Sequence, residues 1–288
     1  MMRNLPHRTC SWFSLRHRII VACGLMMLVG LCSAAIYVLM HPIPVVLMFH
    51  SVVQPAQGLD VSPESLAAML DSARAAPHPV IATTDSSDRS VFETFASGVQ
   101  HRTLAAILFL MPPLIDKDGM MTWGQVRELD RAGLVIASHT LTHPWLPDLS
   151  EEELWCELCA SKQILETQLG HPVTAVAYPY GAFDERVKRM THKCGYTTAY
   201  STAPGRRVAD DDPLAIKRVT ITEATVTNPL LRWLALSGYW VAARETLLAF
   251  APIEVPRKPY DWSYEQWRKT VKMDEFCREA ESMSRERR

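Results

Sequence analysis

Two histidines separated by three residues, His139 and His143, are the first candidates for chemistry in this sequence. Neutral imidazoles at this spacing can converge on one divalent metal, but protein zinc sites normally have at least a third protein ligand. Pro144 disfavours helical backbone at His143, so we expect the pair where a strand runs into a loop. On spacing alone, two loop histidines are solvated more often than they are ligands, so their surroundings must decide.

A second pair with chemical potential is Cys156-x-x-Cys159, whose spacing is typical of redox and zinc sites. It falls inside a strongly predicted helix, and no second cysteine pair follows at metal-site spacing. We therefore interpret both as helix-surface cysteines. Together with Cys194 and Cys277 they can pair in an oxidising compartment, although nothing in the sequence requires it.

Short apolar runs alternate with amphipathic segments in the middle of the chain, and polar clusters repeatedly follow the apolar runs. The best-marked helix is 150–169, where Ser150 and Glu153 form a capping box and Gly170 follows the end. This layout predicts a (β/α) barrel or an open parallel sheet, with sites at the carboxyl ends of its strands. The predicted strands are 45–50, 80–83, 104–111, 134–137, 173–177, 197–200 and 216–221; the other predicted helices are 62–75, 124–132 and one beginning near 184.

An apolar run near the N-terminus predicts a membrane anchor. Residues 19–40 carry no charge, and this segment is long enough to cross a bilayer as a helix. Residues 1–18 hold four arginines and no acid. By the positive-inside rule, residues 1–18 form a cytoplasmic basic stub and the rest lies outside the cytoplasm. A cleaved signal peptide is the alternative, but the apolar run exceeds the usual signal core of about 7–15 residues. Lipid modification of Cys32 is disfavoured by the bulky Leu31.

Composition excludes two broad classes. The chain of 288 residues is 48% hydrophobic, with 30 basic and 31 acidic residues, which is too apolar and too balanced for a disordered chain. It has no basic excess to neutralise phosphates, so we expect no nucleic-acid partner. The near-zero net charge conceals an asymmetry, because residues 41–222 hold 15 basic against 21 acidic residues.

Three segments together resemble the polysaccharide deacetylase family, also called carbohydrate esterase family four. They are VVLMFHSV, MTWGQVRELDRAGLVIASHTLTHPWLPDLSEEEL and VTAVAYPYGAFDERV followed by CGY, and the similarity covers roughly residues 44–222. The resemblance implies an α/β fold, a distorted (β/α) barrel. It also implies metal-dependent hydrolysis of N-acetyl groups on an N-acetylhexosamine polysaccharide, with a divalent metal, usually zinc, held by two histidines and one aspartate.

Carried onto this sequence, the resemblance implies a role for six residues. His139 and His143 become metal ligands, and Asp85 becomes the catalytic base toward metal-bound water. The backbone N–H of Tyr180 becomes the oxyanion donor, in a substrate-binding turn shaped by Pro179 and Gly181.

Two departures from the family pattern bear on activity. The family motif Thr-Phe-Asp-Asp-Gly falls on residues 83–87, where Ser86 occupies the position of the metal-binding aspartate. A neutral hydroxyl is a much poorer ligand for a dication than a carboxylate. The late catalytic histidine also has no counterpart, since no histidine follows His192. The alternative is therefore a catalytically impaired or inactive homologue that binds glycan or scaffolds a cell-envelope complex.

The predicted organisation has four parts: the stub 1–18, the transmembrane anchor 19–40, the deacetylase-like domain 44–222, and a helical, aromatic-rich C-terminal extension 223–288. We expect a single-pass membrane protein with its domain on the periplasmic face of a bacterial inner membrane. In the extension, the apolar segment 229–250 fits either a membrane-surface helix or packing against the barrel.

Overall fold

The computed structural model describes residues 19–30, 32–33, 45–202, 212–238, 267 and 269–286. Contacts divide the chain into two units, residues 1–42 and residues 43–288. In the first unit, residues 19–30 are helical and exposed. Among the described residues, no helix combines the length and the apolar character needed to cross a bilayer. Much of the predicted anchor, residues 31 and 34–40, lies outside the described residues, so anchoring stays a prediction.

The second unit is built on one parallel sheet. Its strands lie in the order β7-β6-β5-β4-β3-β2-β1-β8, and every pairing between them is parallel. The strands are β1 Val45–Phe49, β2 Val80–Thr84, β3 Ala105–Leu110, β4 Val135–Ser138, β5 Ala175–Ala177, β6 Thr198–Ser201, β7 Ile216–Lys217 and β8 Val219–Thr220.

The sheet closes into a barrel through its last two strands. β7 pairs with β6, whereas β8, only one residue further along the chain, pairs with β1. One short extended segment therefore joins the two sides of the sheet, with Arg218 between the two pairings. The sheet is thus a nearly closed parallel barrel of eight strands, consistent with the predicted (β/α) barrel.

Helices follow the strands and cover the outside of the barrel. They are α1 Pro63–Arg74, α2 over Val91–Ala96 and Ser97–His101, α3 Trp123–Arg131, α4 over Glu151–Trp155, Cys156–Ala160 and Ser161–Leu169, α5 Glu185–Lys193, α6 Glu223–Thr227, α7 Pro229–Leu236 and α8 Met273–Glu286. The predicted caps are present: Ser62 caps α1, and Ser150 and Glu153 form the capping box of α4. We predicted no element between 89 and 103, where the structure has α2.

Alternation along the strands divides the core into two layers. In β3, Ile107 and Phe109 belong to a small cluster with Ala177 and Tyr200, whereas Leu108 joins the large cluster shared with the helices. Because successive side chains of a strand point to opposite faces, the small cluster fills the barrel and the large cluster lies beneath the helices.

The interpretation of the cysteines as helix-surface residues is wrong. Cys156 and Cys159 are both buried, and each forms a disulfide, Cys156 with Cys277 and Cys159 with Cys194. They lie in the middle segment of α4, which has π-helical hydrogen bonding. Cysteines at i and i+3 here face two different neighbours, α8 and the end of α5, and a sequence pattern does not reveal those neighbours.

Candidate functional site

Polar side chains converge where the strands end, at the mouth of the barrel. Asp85 follows β2 and His139 follows β4, and both are buried. His139 Nε2 lies 3.9 Å from Asp85 Oδ2, and the rings of His139 and His143 meet edge to face with centroids 4.8 Å apart. The structure thus brings together three residues that the sequence singled out, as expected for the carboxyl ends of parallel strands.

The orientation of His139 is set by the neighbouring strand. Its Nδ1 lies 2.9 Å from the carbonyl oxygen of Ala177, at the end of β5. A carbonyl only accepts, so Nδ1 carries the proton and donates it, and Nε2 is left with its lone pair. Burial lowers the pKa of His139 from its ordinary value, so the neutral ring is the stable form near pH 7.

His143 joins the histidines to the turn after β5. The centroid of its ring lies 4.5 Å from that of Tyr180, and the ring centroid of Trp145 lies 5.9 Å from that of Tyr180. Burial, followed by the charge of His139, lowers the pKa of His143 well below its ordinary value. Two neutral imidazoles and two half-buried aromatic rings therefore form one wall of the mouth.

The turn Pro179–Gly181 is held tightly against β6. Tyr180 has φ 58° and Gly181 has φ 68°, both left-handed. Thr202 Oγ1 donates to the Tyr180 carbonyl, and Ser201 Oγ donates to the Gly181 carbonyl, each at 2.9 Å. Pro179 and Gly181 are buried, and the contact between Tyr180 and His143 places the predicted turn at the mouth. The oxyanion role of Tyr180 and the substrate-binding roles of its neighbours stay predictions.

Arg218 is a site residue that sequence analysis missed. Its guanidinium donates to both oxygens of Asp85, Nη1 to Oδ1 at 2.5 Å and Nη2 to Oδ2 at 2.7 Å, and it lies over the ring of Phe109. The signal was an arginine in the middle of a short apolar strand. Its partner lies 133 residues earlier and is brought close only by barrel closure.

The pair with Arg218 fixes the charge state of Asp85. Burial by itself raises the pKa of this carboxyl, but the opposing charge of Arg218, then that of His139, and the hydrogen bonds from Arg218 bring the pKa well below its ordinary value. Asp85 is therefore ionised across the neutral range, and it accepts a proton weakly.

His50, at the end of β1, is a second residue that sequence analysis left without a role. Burial is the main cause that lowers its pKa, against the raising effect of the Asp85 charge. Its Nδ1 is buried and has no hydrogen-bond partner among the described residues.

Position 86 offers no carboxylate to the histidines. Ser86 Oγ donates to Asp88 Oδ2 at 2.5 Å, and Asp88 also accepts from the hydroxyls of Ser51 and Ser90. Asp88, two residues further along the chain, is thus held by three serines. Among the described residues, no group of three or more His, Cys, Asp or Glu is placed to hold a metal ion. The residues present do not fit the three-ligand zinc site that the resemblance implies.

Comparisons with known proteins agree with this architecture. Residues 73–199 match the family model for polysaccharide deacetylase. The chain is also similar to YxkH of Bacillus subtilis (strain 168), which is named as a polysaccharide deacetylase, with 27% identity over 119 residues. The match covers 41% of this chain and 43% of the length of YxkH.

Solved structures extend the likeness over the barrel. BC0361, a polysaccharide deacetylase from Bacillus cereus, is 27% identical with a TM-score of 0.58, over 68% of each chain. The Streptococcus pyogenes deacetylase PplD, solved with acetate, superposes with a TM-score of 0.61 over 67% of this chain and 98% of its own; at 21% identity it shows the fold alone. The barrel has the fold of the polysaccharide deacetylases, and its central part, residues 73–199, is similar in sequence to that family.

Proposed function

We propose that the barrel binds an N-acetylhexosamine polysaccharide at its mouth, and that its hydrolysis of N-acetyl groups is weakened or lost. The observation that carries this proposal is the hydroxyl of Ser86, turned to Asp88, where the resemblance implies a carboxylate ligand. A zinc ion held by two protein ligands is bound far more weakly than one held by three or four. The metal that would activate water is therefore poorly retained.

The mouth keeps features suited to binding sugar. Trp145 and Tyr180 present half-buried aromatic rings 5.9 Å apart, and an aromatic face can cover the apolar face of a hexose ring. The Nε2 lone pair of His139 can accept a hydrogen bond from an amide or hydroxyl group of a sugar. These contacts are sufficient for recognition without any reaction.

Deacetylation is the second candidate, and one observation favours it. The hydrogen bond from His139 Nδ1 to Ala177 leaves Nε2 in the form that ligates a metal, which is the usual second-shell arrangement of metal-binding histidines. Family members are deacetylases, and a retained ligand tautomer is what a working site needs.

One experiment separates the two candidates. The full chain, its Ser86→Asp variant and its His139→Ala variant are titrated with zinc and with an N-acetylglucosamine oligomer, and acetate release is followed. Sugar binding without stoichiometric zinc or acetate in the natural sequence supports recognition. Zinc binding gained by Ser86→Asp shows that the frame of the metal site survives. Acetate release that is lost in His139→Ala overturns the first proposal in favour of the second.

We also propose that the domain lies outside the cytoplasm, anchored by residues 19–40. Two disulfides in the described structure support this location, because disulfides persist in oxidising compartments. The four arginines of residues 1–18 support a cytoplasmic N-terminus. In a bacterial host, the chain should resist extraction from membranes at alkaline pH, and a membrane-impermeant reagent should label the barrel in spheroplasts. Recovery of an unlabelled barrel with reduced cysteines contradicts this location.

A further inference from the structure

A buried carboxylate lies behind the loop that carries the two histidines. Glu157, in the middle segment of α4, has no solvent exposure. Its Oε2 accepts from the backbone N–H of Leu141 at 2.8 Å and of Thr142 at 2.9 Å, and its Oε1 accepts from the Thr142 hydroxyl. All three donors belong to the segment between His139 and His143. We propose that Glu157 is the positioning residue that sets the geometry of the histidine pair.

The loop needs an external support because its backbone is unusual. Thr140 has φ 66° and His143 has φ 57°, so two residues with side chains adopt left-handed backbone within four positions. Such conformations persist where surrounding contacts over-determine them. Glu157 holds the two residues that lie between these positions, so it holds the part of the loop that joins them.

The loop also supports itself through its own side chains. Ser138 Oγ accepts from the N–H of Thr140 at 3.1 Å, and Thr140 Oγ1 accepts from the N–H of His143 at 3.2 Å. These neutral bonds span only the two ends of the loop. Glu157 adds three further hydrogen bonds at the centre of the loop.

The position of Glu157 is itself secured by covalent bonds. Cys156, the residue before it, is bonded to Cys277, and Cys159, two residues after it, is bonded to Cys194. Leu141, whose N–H binds Glu157, packs in a small apolar cluster with Cys156 and with Ala280 of α8. Two disulfides therefore fix the helix segment that carries Glu157, and the histidine loop is hydrogen-bonded to that rigid segment.

Glu157 would act on the mouth of the barrel through the spacing of the two imidazoles, whose centroids lie 4.8 Å apart. If the central loop bonds are lost, the left-handed backbone at His143 can relax and its ring moves away from His139 and Tyr180. That this geometry matters for glycan rests on the proposed function, whereas the hydrogen bonds themselves do not.

The test uses the full chain with nitrogen-15 in its histidines and backbone. Glu157→Gln keeps the size of the side chain but places an NH2 group where one carboxylate oxygen stood. Glu157→Ala removes all three bonds. Glu152→Gln, an exposed acid five residues earlier on α4, is the matched control. The readouts are amide exchange at Leu141 and Thr142 and the imidazole nitrogen signals of His139 and His143. His171, an exposed histidine bound to Asp130, is the internal reference.

We expect Glu157→Gln to speed exchange at Leu141 and Thr142 several-fold and to shift the imidazole signals of His139 and His143 but not of His171. Glu157→Ala should raise exchange at these two amides tenfold or more. If Glu157→Ala does not fold, the glutamine variant decides. A folded Glu157→Gln variant whose two amides and two histidines match those of Glu152→Gln overturns the inference.

Binding of an N-acetylglucosamine oligomer is measured on the same samples to separate this inference from the proposed function. Shifted histidine signals, with no glycan bound by any form, support the positioning role and refute glycan recognition. Glycan bound equally well by the natural sequence and by Glu157→Gln, with unshifted histidine signals, supports recognition and refutes the positioning role.

Discussion

At the scale of single residues, Arg218 balances the buried charge of Asp85 inside the barrel. Its side chain is fully buried and its partner Asp85 is 5% exposed. Replacing one partner of such a pair leaves an uncompensated charge in the core, which costs about 3–5 kcal/mol. We expect Arg218→Met to lower the free energy of unfolding by this amount in urea titrations. The double variant Asp85→Leu with Arg218→Met should recover most of the loss, and equal stability of the single and double variants contradicts this account.

Buried histidines predict a stability that falls in mild acid. The pKa values of His50, His139 and His143 are lowered by burial below their ordinary value of 6.5. The unfolded chain therefore binds more protons than the folded chain as the pH falls below about 6.5. As the pH falls, each such histidine lowers the free energy of unfolding by up to about 1.4 kcal/mol per pH unit, until its folded-state pKa is reached.

The measurement is the free energy of unfolding at pH 7.5 and at pH 5.5. We expect a clear decrease for the natural sequence and a smaller decrease for His143→Asn, which removes one titrating group. His171 provides the control, because its hydrogen bond to Asp130 raises its pKa and His171→Asn should not reduce the decrease. Equal stability at the two pH values contradicts the burial of neutral imidazoles.

The site was predictable from sequence to the extent that its residues lie in local motifs. His139, His143, Asp85 and Tyr180 each follow a predicted strand, and the structure brings all four to one mouth. Arg218 was out of reach because its pairing depends on which strands become neighbours when the barrel closes, which no local pattern encodes.

At the scale of elements, the turn after β5 depends on the absence of a side chain at Gly181. A Cβ there would lie 2.2 Å from Thr202 Oγ1 and 2.4 Å from the Thr202 backbone nitrogen, so the turn or β6 must move. We expect Gly181→Ala to destabilise the fold by about 1–3 kcal/mol through overpacking, in addition to the strain of its positive φ. The movement of the turn should also change the fluorescence of Trp145, because its ring lies beside that of Tyr180.

Gly170, at the end of α4, is the matched comparison for Gly181. It also has positive φ, 81°, but nothing lies within 4 Å of a Cβ there. Gly170→Ala should therefore cost only the backbone term, about 1 kcal/mol. If the two alanine variants have the same stability in urea, close packing of the turn against β6 is not what requires glycine at 181.

The helices and strands were largely predictable from sequence, while the contacts between neighbouring helices were not. Capping residues and short apolar runs located α4 and most strands, because those signals are local. The predicted single strand 216–221 is instead two short strands, β7 and β8, which pair with β6 and β1. The middle of α4 departs from regular helix at Cys156–Ala160, and the cysteines face two different partners there. The pairings with Cys194 and Cys277 became visible only once the neighbouring helices were in place.

At the scale of the whole molecule, the Cys156–Cys277 disulfide joins the C-terminal helix α8 to the barrel. Its closed loop spans 121 residues, whereas that of Cys159–Cys194 spans 35. Cross-linking a longer loop removes more entropy from the unfolded chain, about 4–5 kcal/mol for a loop of roughly 100 residues and closer to 3–4 kcal/mol for the shorter one by the same model.

We therefore expect the paired substitution Cys156→Ser with Cys277→Ser to lower the unfolding free energy at least as much as Cys159→Ser with Cys194→Ser. The first pair should also release α8, because it removes the covalent bond between α8 and α4 and leaves only the packing of Met273 and Phe276 on the cluster around Cys156. Limited proteolysis is then expected to remove α8 in the first variant but not in the second, while the barrel resists. An α8 that stays protected without its disulfide would show that apolar packing alone holds the C-terminal helix in place.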